Sequence, residues 1–71
     1  MLSQHEIQMA FVELGADLTV TGLNQMTESS KTGSVIMKTQ GLQNIRAGAR
    51  LAQHSYLLAE ILCQLSDGGD E

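Results

Sequence analysis

Three features of this 71-residue chain predict an all-α fold, specifically an antiparallel two-helix hairpin that a second copy or a partner chain completes to a four-helix bundle. Two long stretches carry apolar residues at helical spacing, a single Ser/Gly cluster separates them, and each stretch has two apolar faces instead of one. The chain has no Pro, so only the cluster Ser29-Ser30-Lys31-Thr32-Gly33-Ser34 interrupts the helical pattern.

The first helix is expected over residues 3–27. Ser3 followed by Glu6 is a capping box, and Leu2 with Ile7 supplies the matching hydrophobic staple. Gly15, Gly22 and the run Thr19-Val20-Thr21 weaken the second half, each Gly by about 1 kcal/mol relative to Ala, so packing has to hold it. Residues 28–34 read as the turn and 35–66 as the second helix, with Ser30, Thr32 and Ser34 as alternative caps. Gly68 suits the left-handed position that ends a helix, leaving 67–71 as a flexible acidic tail. No repeat or second domain is visible.

On the first helix Ile7, Phe11, Leu14 and Leu18 fall on one stripe, and Met9, Val12, Ala16, Val20 and Leu23 on the opposite side. On the second, Leu42, Ile45, Ala49, Ala52, Tyr56, Ala59 and Cys63 keep a 3-4 spacing, which reads as the seam between the helices. Beside it runs a ridge of small residues, Gly41, Gly48, Ala52, Ser55 and Ala59, that admits a close helix; the tightest approach is expected at Ala52. Leu51, Leu58, Leu62 and Leu65 form a further apolar face. Two helices cannot cover four such faces against one another, so the remainder implies a homodimer or a heteromeric helical partner. Read the other way, the weaker faces are surface Leu and Val of the kind many proteins expose.

Charge is divided along the chain. Glu6, Glu13, Asp17 and Glu28 precede every base, while Lys31, Lys38, Arg46 and Arg50 follow. Folding back about the turn brings Arg46 and Arg50 level with Asp17 and Glu13, which predicts pairing within the hairpin and so a fixed register.

Composition narrows the function. Four Lys+Arg against eight Asp+Glu disfavours nucleic-acid binding through phosphate neutralisation. The lone Cys63 excludes an internal disulfide, no apolar run spans a membrane, and the start lacks a signal-peptide pattern, which suits the cytoplasm. His5, His54 and Cys63 do not form a metal-binding spacing, so neither metal nor cofactor is expected. The serines sit where caps explain them, and a hairpin offers no concave site, so no enzyme is expected. What is left is a non-catalytic helical protein-interaction module, a class that includes secretion chaperones and small phage or plasmid inhibitors.

Tyr56-Leu57-Leu58-Ala59-Glu60 matches a Tyr-x-x-x-Asp/Glu motif. With it, the chain resembles the small leaderless helix-turn-helix proteins of type VII secretion and the helical partners of that system's toxins. The family's Trp-x-Gly turn is absent, with Thr32-Gly33 at the corresponding place. The resemblance implies a coiled four-helix assembly, an export signal at Tyr56 and Glu60, and export without a cleaved signal peptide. In length and in its acidic tail the chain is also similar to the RNA-binding hairpins that regulate plasmid copy number. That similarity implies a dimer with Lys38, Arg46 and Arg50 doubled into a basic stripe.

Overall fold

The computed structural model describes residues 2–69, and the side chains of residues 2–66. The described residues are all helical apart from caps and one short connection. They form α1 (Gln4–Thr32), α2 (Val35–Gln53) and α3 (Ser55–Gly69), arranged as a ribbon of 54 × 17 × 16 Å.

Ser3 caps α1 as its sequence position predicts, its Oγ accepting a bond from the Glu6 N–H at 3.2 Å. The helix then runs five residues past the expected end at Thr27. The serine- and threonine-rich stretch meets its own polar needs inside the helix: Ser29 Oγ donates to the Met26 carbonyl and Thr32 Oγ1 to that of Glu28. The turn shrinks to Gly33 and Ser34. Gly33 takes the left-handed conformation, φ 74°, and donates its N–H to the Ser29 carbonyl. Ser34 caps α2 by accepting from the Met37 N–H.

The expected single helix over 35–66 is divided at His54, whose φ of −101° and ψ of 12° leave helical geometry. The axis continues across the break, because His54 still donates to the Arg50 carbonyl and accepts from the Leu58 N–H. At the far end α3 continues to Gly69. Gly68 therefore lies inside a helix and does not end it; of the expected tail, residues 67–69 are helical and residues 70 and 71 lie outside the described residues.

The helices meet along two matched rows of small residues. The buried residues of α1 are Gly15, Gly22 and Ser29; on the returning arm of the hairpin, α2 and α3, they are Gly41, Gly48, Ser55 and Ala59. Each row begins with the same Gly-x6-Gly-x6-Ser heptad spacing. A methyl group on Gly15 would lie 2.5 Å from the Gly48 carbonyl oxygen, and one on Gly22 equally close to that of Gly41. The relation is reciprocal, since a methyl on Gly41 would meet the Gly22 carbonyl at 2.7 Å. The helices thus touch backbone to backbone, at glycines where a Cβ would have no room. Ser29 and Ser55 suit this seam because each hydroxyl donates to a carbonyl three residues earlier, Ser29 to Met26 within α1 and Ser55, across the break at His54, to Ala52 of α2.

This corrects the expected seam. Of Leu42, Ile45, Ala49, Ala52, Tyr56, Ala59 and Cys63, only Ala59 is buried; Ile45 and Cys63 are half-buried and the other four are exposed. The tightest approach is at the glycines and not at Ala52. The reason is steric: Gly on both helices brings the backbones closer than Ala against any side chain, so the glycine rows take the interface and turn the 3-4 stripe outward.

Candidate interaction surface

With the glycine rows as the seam, the two stripes of each helix turn to opposite sides at about 100° per residue. One side of the ribbon gathers Ile7, Phe11, Leu14 and Leu18 from α1 with Leu51, Leu58, Leu62 and Leu65 from α2 and α3. Two apolar hollows open on it, one lined by Leu2, Ile7, Ala10, Phe11, Leu14 and Leu62, the other by Ala47, Arg50, Leu51, His54, Leu57 and Leu58. The opposite side gathers Met9, Val12, Val20 and Leu23 with Leu42, Ile45, Ala49, Ala52, Tyr56 and Cys63. Its seam edge is fixed by contacts that methyls on the glycines would make with Thr19, Met26, Ile45 and Ala52.

Neither side is covered. Ala59, with no exposed surface, is the one buried hydrophobic residue among the described side chains. Ile7, Phe11, Val12, Leu18, Leu51 and Leu58 are half-buried, whereas Met9, Leu14, Val20, Leu23, Leu42 and Leu62 are exposed; Leu65 is 66 % exposed. The sequence places these residues on two faces, and the structure brings each face together from both helices. What the sequence reading misses is that Gly15, Gly22 and Ser29 are the α1 contact row; their seven-residue spacing, repeated at 41, 48 and 55, is the signal that could have found them.

The polar groups lie mostly at the margins. Asn44 Nδ2 donates to Gln25 Oε1 at 2.6 Å, a cross-helix bond on the leucine side but nearer the turn. Arg46 and Arg50 do stand level with Asp17 and Glu13, since Gly48 faces Gly15 and Gly41 faces Gly22. Yet they sit on the two opposite outer edges of the ribbon, all four exposed, and do not pair. Among the described residues the one ion pair is Lys31 with Glu28, at 3.9 Å within α1. The expectation of charge pairing inside the hairpin is therefore corrected: close backbone contact forces both charged rows to the far sides.

Tyr56 lies in the first turn of α3 just past the break and is 61 % exposed, with Glu60 one turn further on and half-buried. Tyr56 therefore points out from the hairpin and does not fill its seam. Among the described residues no three His, Cys, Asp or Glu side chains gather as a metal site would require, and no helix is long and apolar enough to cross a membrane. No family model matches the chain, and no curated protein or solved structure is similar enough to it to carry an argument.

Proposed function

We propose that the chain is a non-catalytic helical protein-interaction module whose working unit holds at least four helices. One observation carries this reading: the hairpin closes on glycine and serine, and leaves its Leu, Ile, Met and Val side chains on two open faces. Exposed apolar area on that scale marks a surface that meets another protein, and a scaffold of this size commonly completes its core by assembly. Light scattering and analytical sedimentation at micromolar concentration test it. Assembly, or a monomer that becomes stably folded only with a helical partner, supports the reading; a monomer that melts cooperatively on its own overturns it.

The position of Tyr56 favours a narrower form of the same reading, a small partner or substrate of a type VII-like secretion system. An export signal has to be read by other machinery, and an exposed Tyr56 one turn before Glu60 offers such a motif. Glu60→Gln is expected to leave assembly intact and stop export. Export retained in a host with the matching machinery removes this narrower form.

A further inference from the structure

We propose that the occupant of the leucine face is a second copy of this chain, docked about a twofold axis parallel to the helices so that both turns lie at the same end. The proposal deepens the interaction-module reading and rests on it.

Two independent features fix the arrangement. The first is the uneven distribution of apolar surface along this face. From the middle of the ribbon to its open end the face is apolar, with Phe11, Leu14, Leu18, Leu51 and Leu58. Toward the turn, Thr21, Gln25, Gln40 and Asn44 take over, with Met37 half-buried beside them, and Gln25 already spends its amide oxygen on Asn44. A copy with its turn at the same end lays leucines on leucines over their full length. A copy reversed end for end in full overlap lays them on the amide-rich half.

The second feature is charge. The outer edge of α1 is acidic, with Glu6, Glu13 and Asp17; the outer edge of α2 carries Arg46 and Arg50, and all five are exposed. Rotation about an axis along the ribbon places α1 of one copy over α2 of the other, so each acidic edge lies against a basic one. Arg50 borders the leucine-face hollow, and Asp17 flanks Leu14 and Leu18 on the facing edge. In the dimer they fall four residues apart in level, about 6 Å along the axis, within reach of an arginine side chain. Rotation about an axis across the ribbon, even if slid to overlap the leucines, stacks α1 on α1 and α2 on α2. It then sets acid against acid and base against base. The pairs that do not form within one hairpin are supplied between two.

Spin labels at the turn decide the geometry. In a Thr32→Cys, Cys63→Ser protein, pulsed dipolar spectroscopy is expected to place the two labels within about 25 Å, two to three helix spacings. A distance approaching the 54 Å length of the ribbon overturns the proposal while leaving the interaction-module reading intact. Charge exchange provides the second arm. Arg50→Asp is expected to weaken self-association roughly tenfold, because twofold symmetry breaks both copies of the pair at once, and adding Asp17→Arg is expected to restore it. No rescue overturns the pairing. Leu14→Glu should dissociate the dimer, while Val20→Glu on the opposite face should not; the reverse result assigns the interface to the other side.

Discussion

Between the turn and Gly15 the two helices touch through their backbones; from there to the open end they touch through side chains. In the first region Gly22 faces Gly41, Gly15 faces Gly48, and a two-residue connection holds the register. In the second, the α1 position one heptad before Gly15 is Gln8, half-buried, so the close spacing cannot continue. The departure from helical geometry at His54 falls just where this change occurs. The lesson concerns what each kind of contact provides. Glycine pairs set alignment and distance but bury almost no hydrocarbon, and apolar side chains lie uncovered in both regions: Val20, Leu23, Val35, Ile36 and Leu42 beside the glycine pairs, Leu57, Leu62 and Leu65 toward the open end. The hairpin is thus aligned by its glycine half and left uncovered along both.

The sharpest way to break this contrast is to add one methyl group in the first region. Gly15→Ala and Gly22→Ala each improve helix propensity by about 1 kcal/mol. Each also sets a Cβ 2.5 Å from a facing carbonyl oxygen. A backbone carbonyl cannot swing aside as a side-chain tip can, so the helices must part along their length. We expect a net loss of about 1–3 kcal/mol, read as a lower melting temperature by circular dichroism. A melting temperature equal to or above the parent's shows that the helices do not meet through glycine.

Gly33→Ala separates strain from crowding. A methyl there meets nothing within 4 Å, yet φ is 74°. The expected cost is about 1–2 kcal/mol from the left-handed backbone alone, visible as a modest drop in melting temperature with the helical spectrum unchanged. No drop means that the turn relaxes freely and does not hold the register of the glycine pairs.

Much of the molecule is legible in its sequence, and for physical reasons. Helix type follows from periodicity, the start of α1 from the Ser3 cap, and the four apolar stripes from spacing alone. The length of α1 is not legible, because Ser29 and Thr32 read as turn formers until their hydroxyls find carbonyls in their own helix. The face of contact is not legible from hydrophobicity either. Gly15 and Gly22 register on any propensity scale as helix weakeners, and only their pairing with Gly48 and Gly41 turns that weakness into an interface. Apolar spacing shows which residues share a face, but it does not show that the smallest residues outcompete the largest for the seam.

The smallest effect is expected at Ala52, at the border of the two kinds of contact. Its Cβ would stand 3.5 Å from a methyl on Gly15, an ordinary contact, and the residue is exposed. Under the seam expected from the 3-4 spacing, Ala52→Leu would overpack the hairpin by about 1–3 kcal/mol. Under the glycine seam the longer side chain has open space on the face opposite the leucines. Ala and Leu are both good helix formers, so the melting temperature should shift by no more than about 0.5 kcal/mol would produce. The variant therefore reads two things from one protein. An unchanged melt with unchanged assembly places Ala52 on a free edge. An unchanged hairpin with altered assembly assigns this second face to another chain as well, because only a partner would bring atoms into the space that Leu fills. A destabilised hairpin with assembly removed from the comparison would return the seam to the 3-4 stripe.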